Sequence, residues 1–122
     1  MKLIAKGLGV SRGKVSGKVR IIKNFDDHIK FREGDILVTR LTDPTMTAIM
    51  GKAAGIICDI GGLTSHPSIL SREMGIPCIV SAKHIETGKP VTEILKDGQE
   101  IEMCGEKGEI IIKDSSWKLR WK

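Results

Sequence analysis

The chain has 122 residues, 40% hydrophobic and 29% charged, with a net charge of +5. This is enough apolar sequence for the core of a single domain, and the balance excludes an intrinsically disordered chain. No apolar run approaches the roughly 20 residues that span a bilayer, and the first six residues carry no signal-peptide h-region, so the expected location is the cytoplasm.

In chain order, a short apolar strand is expected over Ile4–Gly7. A second follows over Val15–Ile22, alternating apolar and polar positions before two isoleucines. Phe25–Arg32 reads as a short helix and Glu33-Gly34-Asp35 as a turn. Ile36–Thr39 is a clear strand. Thr42-Asp43-Pro44 signals a loop and a helix start, with Asp43 able to cap and Pro44 suited to the first turn. Met46, Ala48, Ile49, Met50 and Ala53 predict a helix ending near Gly55, with Met46 and Met50 in the core. Gly55–Asp59 is a short apolar strand. A glycine turn follows, then a helix over Pro67–Met74 stopped by Gly75, and a strand over Pro77–Val80. Val91–Leu95 reads as a return to strand, Lys96-Asp97-Gly98 as a turn, and Glu100–Met103 and Glu109–Ile112 as a hairpin joined through Gly105–Gly108. The order of elements predicts a mixed α/β fold in one domain, residues 1–113. A basic tail follows, residues 114–122, with Trp117 and Trp121 four apart among Lys118, Arg120 and Lys122.

Several chemistries fall away. Cys58, Cys78 and Cys104 are odd in number and form no C-x-x-C pair, so they read as reduced, apolar filler rather than a zinc or redox site. His28, beside Asp26 and Asp27, and His84, in a polar stretch, read as solvated surface, and no metal site is expected. Ser65, Ser68 and Ser71 lack the G-x-S-x-G elbow of a hydrolase. The basic charge is scattered, and two phenylalanines with no tyrosine give almost no stacking platform, so nucleic acid is not the expected partner.

His66 is the strongest candidate for chemistry. It sits where the turn Gly61-Gly62 meets a predicted helix. A helix N-terminus offers unpaired N–H groups and partial positive charge, which disfavours a cationic ring and welcomes a phosphate. The glycines allow close approach of another molecule, and Thr64 and Ser65 supply hydroxyls to cap the helix or bind a phosphate oxygen. Histidine attacks through a lone pair without a separate base, and the phosphoramidate it forms can pass the group on.

Gly61-Gly62-Leu63-Thr64-Ser65-His66, with Ile69-Leu70-Ser71-Arg72-Glu73-Met74-Gly75-Ile76-Pro77, resembles the phosphohistidine domain of phosphoenolpyruvate-utilising enzymes. Phosphoenolpyruvate synthase, pyruvate phosphate dikinase and enzyme I of the sugar phosphotransferase system are of this type. Lys6–Gly13, Gly17–Arg20, Gly34–Val38, Leu95–Gln99 and Gly108–Ile110 extend the resemblance over nearly the whole chain. It implies a swivelling β/β/α fold with His66 as the phosphorylated residue. Gly61 and Gly62 match the motif turn, and Thr64 the motif threonine, a regulatory phosphorylation site in plant dikinases. Arg72 matches the basic residue of the following helix, and Thr42 and Asp43 a loop beside the histidine. Pro67 departs from the small residue usual after the histidine, and fits a first helical turn. The chain carries no G-x-x-x-x-G-K-[ST] phosphate loop. The resemblance thus implies a carrier with no cofactor of its own. Its partners would be an ATP-grasp-like nucleotide-binding chain and a phosphoenolpyruvate- or pyruvate-binding barrel, holding Mg²⁺ with ATP or phosphoenolpyruvate. The competing expectation is an interaction or regulatory module that keeps the fold without phosphoryl transfer.

Overall fold

The computed structural model describes residues 1–113; the Trp117–Trp121 tail lies outside the described residues. Seven strands run β1 (Lys2–Ser11), β2 (Lys14–Ile22), β3 (Ile36–Thr39), β4 (Gly55–Cys58), β5 (Cys78–His84), β6 (Glu100–Cys104) and β7 (Glu109–Ile112). Three short helices, α1 (Thr47–Met50), α2 (His66–Met74) and α3 (Val91–Ile94), and two 3₁₀ turns, Phe25–Lys30 and Pro44–Met46, connect them. The expected mixed α/β class holds. The sheet closes on itself in the order β1-β5-β4-β3-β2-β6-β7, so it is a barrel.

Two kinds of strand build it. β2, β3, β4 and β5 pair in parallel, and β3, β4 and the Cys78–Val80 part of β5 are buried on both faces. Ile36, Val38, Ile57 and Ile79 point into the barrel, where Ile101, Met103, Ile110 and Ile112 meet them. Leu37, Ile56, Cys58, Cys78 and Val80 face outward under Met46, Ile49 and Met50, with Leu70 of α2 against them. Burial on both sides explains why these strands read as unbroken apolar runs. β6 and β7 are antiparallel and alternate, burying Ile101, Met103, Ile110 and Ile112 and leaving Glu100, Glu102 and Glu109 partly in solvent.

Several expectations change. β1 is longer than Ile4–Gly7, because pairing with both β5 and β7 carries it from Lys2 to Ser11. The helix expected over 46–53 is a 3₁₀ turn and a single α-turn ending at Gly51, though Met46 and Met50 are buried as expected. The strand expected over Val91–Leu95 is instead a helix over Val91–Ile94: Val91, Ile94 and Leu95 pack into the barrel interior while Glu93 stays exposed. Its first turn is capped from afar. Asp59, buried at the end of β4, accepts the Thr92 amide at 3.0 Å and the Thr92 hydroxyl at 2.6 Å. His84 is not on the surface. β5 runs on to pair His84 with Ala5, and the ring is buried with Nδ1 accepting the Thr87 amide at 3.2 Å. Among the described residues no helix is long and apolar enough to cross a membrane.

Removing atoms from the barrel interior is expected to cost far more than trimming the surface. Ile57, fully buried, should lose about 2–5 kcal/mol on Ile57→Ala. Ile29, 94% exposed, should change stability by no more than about 0.5 kcal/mol on Ile29→Ala. Urea unfolding followed by circular dichroism measures both.

Candidate functional site

The parallel strands set the position of the site. Ile22 aligns with Thr39, and Thr39 with Cys58, so β2, β3 and β4 end together. The Asp59 amide bonds the Thr39 carbonyl at 3.1 Å and the Ile60 amide the Arg40 carbonyl at 3.2 Å, which keeps the two outgoing chains side by side. The segments that leave β3 and β4 therefore meet. Thr42, buried, places Oγ1 2.7 Å from Nδ1 of His66, which is half-buried at the first position of α2. This joins two of the expected site residues, 24 apart in sequence.

α2 forms where its sequence dictates. Pro67 fits the first turn, and Gly75 ends the helix in the left-handed region at φ 70°. Ser65 holds the N-cap position, but its hydroxyl does not cap the helix. It turns back into the loop, 2.9 Å from the Gly62 carbonyl, and accepts the Gly62 amide at 3.3 Å. Ser68 donates to the same carbonyl at 2.6 Å. The preceding Gly61 has φ 131°, and a side chain there would crowd Ser65 Oγ at 2.9 Å.

Arg72 makes no contact with His66 among the described bonds. Its Nε donates to the Val10 carbonyl at 2.8 Å and its Nη2 donates to the Leu63 carbonyl. It therefore ties the glycine turn and α2 to β1. Asp43 caps the Pro44–Met46 turn through the Thr45 amide at 2.8 Å and the Thr45 hydroxyl. Those two bonds, with added attraction from His66 and His28, hold its carboxyl below the ordinary value. Thr64 is exposed beside the histidine.

Sequence reasoning passed over three contributors. Ser68 shares the Gly62 carbonyl with Ser65. Asp59 couples the root of the loop to α3. Ser81 donates from β5 to the Gly61 carbonyl at 2.8 Å. Spacing gave a hint only for Ser68, one helical turn after Ser65; the other two reach across the fold.

Three cavities, of about 230, 420 and 360 Å³, lie elsewhere, against the β6–β7 hairpin, the Phe25–Lys30 turn with α3, and the end of β1. His66 does not line them. Leu63 and Ile69, three residues to either side of it, are 60% and 44% exposed. No group of three or more His, Cys, Asp or Glu among the described residues is placed to hold a metal.

The cysteines near the site are held as thiols. Burial pushes Cys58 well above its ordinary value, with the Thr42 amide opposing, and burial pushes Cys78 up to about 12. A thiol whose folded pKa is raised contributes stability that is fully present below the unfolded value of 9.0 and is lost as pH rises towards about 12. In native protein at pH 8, Ellman's reagent should modify partly exposed Cys104 and spare Cys58 and Cys78, and all should react after unfolding.

Residues 31–108 match the family described as PEP-utilising enzyme, mobile domain. A protein of Archaeoglobus fulgidus named probable phosphoenolpyruvate synthase is 46% identical over 107 residues, 88% of this chain and 13% of that one. The phosphoenolpyruvate synthase of Pyrococcus furiosus is 44% identical over 107 residues, 88% of this chain and 12% of that one. Among solved structures, an Enzyme I solution structure superposes with a TM-score of 0.54 at 28% identity, covering 72% of this chain and 34% of the other. The chain thus spans a small fraction of the curated relatives it matches. It belongs to the PEP-utilising enzyme family, as the mobile domain.

Proposed function

We propose that this domain is a phosphoryl carrier, transiently phosphorylated on His66. The observation that carries this reading is the Thr42 Oγ1–His66 Nδ1 contact at 2.7 Å, on the rim where β3 and β4 end. With Nδ1–H donating to Thr42, the Nε2 lone pair is the nucleophile. It attacks the phosphorus of a donor; the P–N bond forms, the donor's P–O bond breaks, and the leaving oxygen keeps the electron pair. In the second half-reaction an acceptor oxygen attacks, and the P–N electrons return to Nε2.

A nucleophile on a rim, flanked by exposed Leu63 and Ile69, suits entry into another protein's active site. The two sites would be a nucleotide-binding one and a phosphoenolpyruvate- or pyruvate-type one on partner domains or chains, in the cytoplasm. Swivelling of this barrel domain would carry His66 between them. Mg²⁺ held with ATP or phosphoenolpyruvate at those sites would neutralise the transferring charge. On this side, Gly61, Gly62, Thr64 and Ser65 would shape the phosphate's approach. Thr64 would do so with an exposed hydroxyl. Ser65 would act indirectly, by holding Gly62.

The direct test mixes the chain with its nucleotide- or phosphoenolpyruvate-binding partner and a ³²P donor. Acid-labile, base-stable label is expected on His66 and is expected to fall to background in His66→Ala. Label elsewhere, or none with a partner shown to be active, or unchanged activity of the complex with His66→Ala, would refute the reading.

Thr42→Val tests the orientation of the ring. It keeps the buried shape and removes the acceptor for Nδ1–H. A hydrogen bond worth about 1 kcal/mol is lost. The neutral tautomer ratio should move about fivefold towards Nε2–H, read from ¹⁵N shifts of the imidazole, and the rate of phosphorylation should fall with it.

A further inference from the structure

Ser81 is the only non-glycine residue with positive φ among the described residues, at 52°. It lies in a β-bulge. Lys6 pairs with Lys83 and Leu8 with Val80, so Ser81 and Ala82 together oppose the single residue Gly7. Gly7 makes room for this: a Cβ there would stand 2.6 Å from the Val80 carbonyl oxygen and 2.9 Å from the Ala82 Cα. The bulge also changes which side chain faces inward. By strict alternation Ser81 would share the barrel-interior face with Ile79. Instead Ala82 joins Ile79 in that core, and Ser81 is half-buried. Its hydroxyl reaches the Gly61 carbonyl at 2.8 Å.

We infer that Ser81 is a positioning residue for the phosphoryl-transfer site, a role that rests on the carrier reading of His66. The fold accepts an unfavourable backbone conformation at Ser81 and a glycine requirement at position 7, and the hydroxyl fixes the Gly61–Gly62 turn from which α2 and His66 depart. Unlike Ser65 and Ser68, which belong to the same loop and helix as the carbonyl they hold, Ser81 fastens the turn to the barrel wall.

Ser81→Gly tests this without adding strain, because glycine adopts positive φ freely and the hydroxyl goes with the rest of the small side chain. Melting temperature should hold or rise. Amide hydrogen exchange at Gly62 and Leu63 should speed up about tenfold, equivalent to about 1.4 kcal/mol at the loop. The ¹⁵N signature of His66 should move, and partner-dependent phosphorylation should slow several-fold. Ser81→Ala also lacks the hydroxyl but keeps the strain. It should melt lower than the glycine variant while sharing its exchange and transfer defects. Unchanged loop exchange and an unchanged His66 signature in Ser81→Gly would overturn the inference. So would a loosened loop with a parental transfer rate. Exchange and ring spectra need no phosphoryl donor. If the parent itself takes no label, the carrier reading fails, and these two measurements still decide whether Ser81 holds the loop.

Discussion

The turn between β4 and α2 faces a strict requirement: three successive carbonyls, of Gly61, Gly62 and Leu63, must each find a donor where the chain leaves a fully buried strand for a half-exposed rim. Each finds one from a side chain. Ser81 serves Gly61, Ser65 and Ser68 serve Gly62, and Arg72 serves Leu63. Two adjacent glycines make this segment costly to order, on the order of 1–2 kcal/mol of backbone entropy per residue. Each hydrogen bond returns about 1 kcal/mol net. The ties are therefore comparable to the ordering cost, which is what a fixed departure angle for α2 requires. Without them the turn would keep only the backbone bond from the Ser65 amide to the Gly62 carbonyl at 3.2 Å.

The barrel makes that network possible. Parallel pairing of β2, β3 and β4 brings their carboxyl ends to one rim, the usual place for sites in parallel sheets. The same pairing puts Cys58, Val80 and Leu37 against the outer helices and Ile57, Val38 and Ile79 into the interior. A shift of one residue in β4 would exchange Ile57 with Ile56 and Cys58 across the sheet and turn Asp59 away from Thr92. The site geometry is thus locked by the register of buried strands, and the helices add local fastening.

What could be read from the sequence divides by range. β3 and β4 have continuous apolar runs, and α2 has Pro67 near its start and Gly75 at its end, so their bounds were legible. The hairpin turn Gly105–Gly108 and the cap at Asp43 were legible for the same reason: the signal lies within a few residues. The helical state of Val91–Ile94 was not, because the group that caps it is Asp59, 33 residues away. Ser81 was not, because its conformation comes from a bulge against Gly7. The extended run to His84 depends on partners in β1. Ser65 has the residue type of a helix cap, yet the tight turn offers its hydroxyl a nearer partner in Gly62. The motif marked His66 and Thr42 together, but only closure of the parallel rim explains why they touch.

If the domain carries a phosphoryl group as proposed, the choice of Thr42 as the imidazole's partner bears on carriage itself. A carboxylate at Nδ1 would attract the positive charge that builds on the ring as the P–N bond forms, and would deepen the phosphorylated state. A hydroxyl accepts the same N–H and fixes the same orientation with far less charge. Asp43, the carboxylate whose charge feels the ring, is occupied by the amide and hydroxyl of Thr45. Its charge therefore acts on the ring only at a distance. A carrier needs a phosphorylated form close in free energy to both donor and acceptor, since an intermediate that is too stable stops at the first half-reaction. On the carrier reading, orientation by a neutral group, with the acid next to it capping a turn, would keep a phosphoryl group on His66 ready to leave.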